Sequence, residues 1–254
     1  MKTSGKINVF GVNIDDISTD EAVLRVLSLA EAKNKGKYVV TVNAEFVMLA
    51  RRNRQFARVL ANADLALADG KWVAISKLIM GGKAHDRVTG VDLIENVCRK
   101  VGDLPIRIGF LGGFGGVAQE VAKRQKKANP KLKVDFAGPG EETIGSNLRL
   151  KVPNFAKKRI DILFVAYGMG RQEFWIDAMR KKLDVGVFIG VGGAFDLLAG
   201  VKKRAPGRVQ NLGLEWLWRL VQEPGRAWRY RVLPVFFLMV VLQFLKKKII
   251  FKNF

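Results

Sequence analysis

The residues best equipped for chemistry sit at the ends of short apolar runs. Leu65-Ala66-Leu67-Ala68 has strand composition and ends in Asp69-Gly70, which puts a carboxylate at a strand's carboxyl edge, where open α/β sheets collect ligands. Asp69 is the first candidate for a working acid or base. The same residue also reads as a cap for the helix that begins near Gly70. Tyr38 to Val42 is a second such run, and alternation along it sends Thr41 and Asn43 to one side, so a hydroxyl and an amide face one crevice. Gly168-Met169-Gly170-Arg171-Gln172-Glu173 follows the strongest run of all. Gln172 there can hydrogen-bond a sugar hydroxyl or a uracil edge, and Glu173 favours a helix start.

Two glycine-rich turns add backbone amides. Gly112-Gly113-Phe114-Gly115-Gly116 lies between a strand and a helix, and from Gly113 the sequence satisfies G-x-G-x-x-A, with Asp135 about 20 residues on. Such a turn can hold a phosphate, and it keeps an NAD(P)-linked oxidoreductase open as an alternative. Gly190-Val191-Gly192-Gly193-Ala194-Phe195-Asp196 is a second turn of the kind, able to supply the amides of Gly192 and Gly193 to the same ligand or to allow tight packing. No Asp-x-Asp pair occurs in the chain, so nucleotide chemistry here is expected to use amides and arginines with no metal and no cofactor. Arg87, Arg204, Arg219, Arg226 and Arg229 are the cations of interest, since guanidinium forks match phosphate oxygens. Cys98 and His85 each stand alone, which excludes an internal disulfide and His-rich metal sites.

The elements that must position these groups alternate. Strands are expected at Ile7–Phe10, Val12–Ile14, Tyr38–Val42, Leu65–Ala68, Ile106–Leu111, Leu132–Phe136, Ile160–Ala166 and Val187–Val191. Helices fall between them, the first opened by a capping box at Ser18-Thr19-Asp20-Glu21 and running to about Lys33. Glu45 to Ala61 is helical with a break near Asn53, Gly81 to Arg87 reads as a polar loop, and Ala137 to Ser146 as an exposed glycine-rich loop. The fold class is therefore α/β, a mostly parallel, Rossmann-like sheet covered by helices on both faces.

Charge marks off the end of the chain. Lys and Arg outnumber Asp and Glu by 44 to 23, a formal charge of +21 that calls for a polyanionic partner: nucleic acid, anionic lipid or a phosphorylated substrate. From Val201 to Phe254 there are 12 basic residues against Glu215 and Glu223 alone, so nearly half the excess lies there. Residues 1–203 are read as the α/β catalytic domain and 204–254 as a basic, aromatic and apolar helical appendage. Val232 to Leu245 is almost wholly apolar and is closed by Lys246-Lys247-Lys248. Fourteen helical residues reach roughly 21 Å against a hydrocarbon core of roughly 30 Å, and Pro234 sits inside the run, so an interfacial or partly inserted helix on an anionic membrane surface fits better than a span. A buried core helix is the plainer alternative. The basic excess also suits a nucleic-acid binder, but its coupling to an apolar run and the lack of a recognition motif argue against nucleic acid as the partner. The N-terminus lacks the apolar core of a secretory signal, giving the expectation of a cytoplasmic protein held peripherally on the inner face of the cell membrane.

Taken together, Thr41-x-Asn43, the Asp69-Gly70 strand end, Gly112-Gly113, Gly170 to Glu173, Gly190 to Asp196, Arg204-Ala205-Pro206, Leu214-Glu215-Trp216-Leu217-x-Arg219-Leu220 and Glu223-Pro224-x-Arg226-x-x-Arg229-Tyr230 resemble the WecG/TagA/CpsF glycosyltransferases over Ile7 to Tyr230. The chain departs from the family's usual pattern at Gly170, commonly Pro, and at Arg208, commonly aromatic. The resemblance implies transfer of a sugar, often N-acetylmannosamine or its uronic acid, from a UDP-sugar donor to a polyprenyl (undecaprenyl) diphosphate-linked sugar acceptor, with inversion and without a metal. It implies Asp69 as the catalytic base, with Thr41, Asn43, Arg87 and Gln172 in the pocket. Arg219, Arg226 and Arg229 would then come from the appendage to bind the lipid diphosphate. Self-association into a homo-oligomer is left open.

Overall fold

The computed structural model describes residues 5–31, 35–83, 87–102, 104–139, 142–144, 147–149 and 159–252. His85 lies outside them, as do parts of the expected loops at 81–87 and 137–146. A hairpin of β1 (Lys6–Val9) and β2 (Val12–Asp15) leads to α1 (Thr19–Glu31), β3 (Lys37–Val42), α2 (Ala44–Arg52), α3 (Arg54–Ala61), β4 (Leu65–Ala68), α4 (Lys71–Ile79) and α5 (Gly90–Val101). There follow β5 (Arg107–Gly112), α6 (Val117–Ala128), β6 (Lys133–Gly138), β7 (Glu142–Ile144), β8 (Asn147–Arg149), β9 (Ile160–Ala166), α7 (Arg171–Met179), β10 (Val185–Gly190) and α8 (Ala194–Leu198). The chain ends with α9 (Gly207–Asn211), α10 (Glu215–Gln222), a 3-10 turn at Pro224–Arg226, α11 (Ala227–Tyr230) and α12 (Val232–Lys252).

Six strands form one sheet in the order β4-β3-β10-β9-β5-β6, and every pairing in it is parallel. Alternation along its strands feeds two cores. Val39, Leu65 and Leu67 pack with α1, α5 and α6 on one face. Tyr38, Val40, Val42 and Ala66 pack on the other with α2, α3, α7, the N-terminal hairpin and the root of α12. Strands buried on both sides have no polar face to show, which is why they read as continuous apolar runs. After β4 at one edge the chain crosses to β5 in the far half of the sheet, so the carboxyl ends of the intervening strands border a crevice.

Local signals explain the joints. Ser18 Oγ accepts the Glu21 N–H at 3.3 Å while the Glu21 carboxylate accepts the Ser18 N–H at 2.7 Å, the reciprocal capping box expected there. Asn53 ends α2 and its side chain caps α3, accounting for the break between them. Two expectations are corrected. The supposed loop at 137–146 contains β7, which pairs antiparallel with β8 just beyond it, both too short and polar to announce themselves. Pro234 does not interrupt the final helix, because it lies in the first turn of α12, where no N–H is needed. The helix then runs on through Lys246-Lys247-Lys248 for 21 residues, about 31 Å.

The buried-core alternative describes the root of this segment and not its tip. At its root, Leu233, Phe236 and Val240 are buried against the body, with Phe236 edge-on to Phe10 and Phe237 edge-on to Trp72. Beyond Val240 no described side chain is covered, and Val241, Leu242, Phe244 and Leu245 stand about half exposed. By length and composition alone Pro224–Lys246 is sufficient to cross a bilayer.

Candidate active site

A cavity of about 300 Å³ opens above the carboxyl ends of β4, β3, β10, β9 and β5. A smaller lobe of about 110 Å³ adjoins it, and Asn43, Glu45, Asp69 and Arg219 line both. Asp69 therefore stands at the seam. The cap position of α4 is Gly70, without a side-chain cap, so the capping role considered for Asp69 is not what the carboxylate does. Its backbone N–H donates to Val42 O at 2.8 Å, fixing the residue to the neighbouring strand. Among the described residues the carboxylate takes no hydrogen bond or ion pair. Desolvation raises its pKa to about 7, against the lowering pull of Arg219 and Arg87, with Glu215 and Asp92 adding to the rise. A carboxylate poised near neutrality in a cleft has the properties of a general base.

Thr41 and Asn43 both reach the cavity wall, as alternation along β3 required. Their polar atoms are partly committed. Thr41 Oγ1 donates to Gly190 O at 3.0 Å, and Asn43 Oδ1 accepts the Phe46 N–H at 3.2 Å as the cap of α2. The amide nitrogen of Asn43 is left for a ligand. Gln172 is buried, and its Oε1 accepts the Gly192 N–H at 2.9 Å, so it braces the Gly190–Gly193 turn as well as lining the cavity. Glu173 does more than favour a helix start. It is wholly buried, its Oε2 accepts the Gly170 N–H at 2.6 Å, and desolvation lifts its pKa to about 7.

Gly190 sits inside this knot: a Cβ there would come 2.8 Å from Gln172 Nε2 and 3.1 Å from Glu173 Oε1. Gly190→Ala is accordingly expected to displace Gln172 from Gly192, to cost about 1–3 kcal/mol in overpacking, and to slow turnover. A thermal melt and an initial-rate assay check it, and a variant matching wild type in both would mean the turn has slack.

The glycine turns divide in role. Gly192 and Gly193 line the cavity, the Gly192 N–H held by Gln172 and the Gly193 N–H without an acceptor among the described residues. Gly113 lines it too, but its N–H donates to Ala166 O at 3.3 Å and is not offered to an anion. Gly112 is a correction: it is not part of the wall, and it packs so closely that a Cβ would lie 2.7 Å from Ala166 O. The dinucleotide reading also fails on its acidic residue, since Asp135 is exposed within β6, away from the cavity, and pairs with Arg107 at 3.3 Å.

Arg219, Arg226 and Arg229 converge on the larger cavity from α10, the 3-10 turn and α11. Each already meets a carboxylate: Arg219 with Glu215 at 3.4 Å, Arg226 with Glu223 at 2.6 Å, and Arg229 with Glu45 at 2.9 Å. Arg87 belongs to the smaller lobe, where it holds Glu215 at 2.9 Å and contacts Gln210. Arg204 lies away from the cavity and pairs with Asp92 at 2.6 Å. Sequence reasoning missed Glu45, which binds Arg229 across 184 positions, and Lys202, which bridges Asp196 at 2.6 Å and Glu223 at 3.2 Å. Neither stands in a motif, and only the position of Glu45 two residues after Asn43 could have drawn notice. Among the described residues no cluster of three or more His, Cys, Asp or Glu is placed to hold a metal ion.

The profile of the glycosyl transferase WecG/TagA/CpsF family matches residues 7–249. The chain belongs to this family. It is a glycosyltransferase. Among its relatives is a Bacillus spizizenii protein named N-acetylglucosaminyldiphosphoundecaprenol N-acetyl-beta-D-mannosaminyltransferase, 33% identical over 197 residues that cover 78% of this chain and 75% of the relative. Proteins of the same name from Bacillus subtilis and Staphylococcus aureus are 29% and 26% identical, covering 84% and 92% of this chain and 82% and 91% of theirs. The WecG/TagA/CpsF match thus takes in both the sheet and the helices that carry Arg219, Arg226 and Arg229.

Proposed function

We propose that the chain moves N-acetylmannosamine or a related sugar from a UDP-sugar to a polyprenyl diphosphate-linked sugar, in cell-wall or surface polysaccharide synthesis. The relatives' names supply the acceptor class and the sugar. The observation that carries the mechanism is Asp69, a carboxylate that makes no ion pair among the described residues, at the seam of two lobes and facing a trio of arginines. The donor lies along the Gly192–Gly193 wall of the larger cavity, and the acceptor sugar reaches Asp69 from the smaller lobe, with its diphosphate on the side of the larger cavity that Arg219, Arg226 and Arg229 line. Asp69 takes the proton from the acceptor hydroxyl as that oxygen bonds to the anomeric carbon and the bond to UDP breaks with both its electrons leaving on the diphosphate. One displacement gives inversion.

Arg219, Arg226 and Arg229 bind the diphosphate of the lipid-linked acceptor. Phosphate oxygens replace or share the carboxylates these guanidinium groups now hold, so loading the acceptor loosens Glu45, Glu215 and Glu223 from them. Thr41, Gln172, Gly192 and Gly193 shape the donor side. Arg87, Tyr230 and Leu233 shape the acceptor side, where the root of α12 begins, so a polyprenyl chain leaving this lobe meets an apolar helix. That helix and its lysines hold residues 204–254 on the cytoplasmic face of an anionic membrane.

Incubation with UDP-N-acetylmannosamine and a short polyprenyl diphosphate–N-acetylglucosamine acceptor is expected to release UDP and form the lipid-linked disaccharide. No release with any UDP-sugar would refute the reading. Because guanidinium groups and the Gly193 amide meet the phosphates, the rate is expected to persist in excess EDTA. Loss of turnover on chelation, restored by a divalent ion, would contradict the metal-independent mechanism.

A further inference from the structure

We propose that Phe114 is the stacking platform for the donor's nucleobase. The inference rests on the nucleoside-diphosphate-sugar reading above and names the group that grips the end of the donor farthest from the chemistry. Phe114 follows β5, lines the larger cavity, and is 79% exposed. The other phenylalanines and the tyrosine of that wall, Phe46, Phe195 and Tyr167, are buried and present no open face. Glycines with left-handed backbone flank it, Gly113 at φ 74° and Gly115 at φ 60°, a pairing that lifts the ring off the end of the strand. A phenyl ring left so exposed at the lip of a polar cavity gains contact area when a ligand covers it, and a flat base covers a ring face well.

The sheet sets the distance. Asp69 ends β4 and Phe114 follows β5, and the order β4-β3-β10-β9-β5 puts four interstrand steps between them. At about 4.8 Å each these come to roughly 19 Å. A base, a ribose, two phosphates and a hexose laid end to end suit that scale, with the hexose at Asp69, the diphosphate over Gly192 and Gly193, and the base at Phe114. The exposed apolar tip of α12 does not compete for this ring, because α12 packs on α2 and α4, over the β3–β4 half of the sheet. Stacking on a ring face is tolerant of base identity, so Phe114 contributes affinity for a nucleoside rather than a choice among bases.

The full-length protein and F114A are titrated with UDP and with inorganic pyrophosphate, and their steady-state kinetics are compared. F114A is expected to bind UDP about 5- to 100-fold more weakly. It should raise KM for the UDP-sugar by a similar factor at unchanged kcat, and leave pyrophosphate affinity as in wild type. F114W should recover UDP binding. Unchanged UDP affinity in F114A, or an equal loss for UDP and pyrophosphate, overturns the stacking role while the donor reading stands. Failure of the wild-type protein to bind UDP at all overturns both.

Discussion

Asp69→Asn is expected to lower kcat by about 10² to 10⁴-fold, the range a positioned general base contributes, while leaving substrate affinity nearly intact. The substitution keeps size and polarity, and among the described residues the carboxylate it removes makes no ion pair. The pH dependence carries the same assignment. Desolvation sets the pKa near 7, so kcat/KM of the wild type should climb through about pH 7 as the base ionises, and that limb should vanish in the variant. Stability should move the opposite way. A carboxyl whose pKa rises from 3.8 to about 7 on folding destabilises the native state as pH increases across that interval, and the whole penalty is present above it. Asp69→Asn lacks the penalty, so it should melt higher than wild type at pH 8 and no differently near pH 4. Wild-type turnover by the variant would end the assignment of the base.

The second large effect belongs to the tip of α12. Replacing Val241, Leu242, Phe244 and Leu245 with Ser should leave the fold unchanged, since these side chains are exposed and the root at Leu233, Phe236 and Val240 is untouched. If each replaced side chain is half covered by lipid, it contributes about 1 kcal/mol, so the four together weaken partition onto anionic vesicles by about a thousandfold. Co-sedimentation measures that directly. Transfer to a vesicle-borne acceptor should fall with it, while transfer to a short, water-soluble acceptor should not. Undiminished sedimentation would remove α12 as the anchor. Cutting the chain at Arg204 is a poorer test, because it strips Tyr230, Leu233 and Phe236 from a core shared with Val40 and Phe46.

What the sequence disclosed and withheld divides by range. Apolar runs ending in Asp69 and Asn43, the box at Ser18 and Glu21, and the break at Asn53 all depend on neighbours a few positions away, and each was legible. The parallel sheet followed from runs without alternation. Resemblance then gathered Arg219, Arg226 and Arg229 over one cavity. Composition could not show that Glu45 is the partner of Arg229, or that Lys202 joins Asp196 to Glu223, because those pairings exist only once remote segments meet. Gly112 misled for a related reason. A glycine that admits a ligand and one that admits the neighbouring strand look alike until Ala166 is seen against it. Pro234 misled through its position, since the same residue that breaks a helix interior begins one comfortably.

The seating of α12 on α2 and α4 has a mechanical consequence. Asn43 precedes the first of these helices and Asp69-Gly70 the second, so the rod that carries the exposed apolar tip rests directly on the elements that follow the cavity's polar residues. A tilt of that rod is passed to the ends of β3 and β4 through the two helices it packs on. Under the membrane docking proposed above, that seating holds the cavity close to the headgroups, within reach of sugars carried directly on a membrane-bound diphosphate.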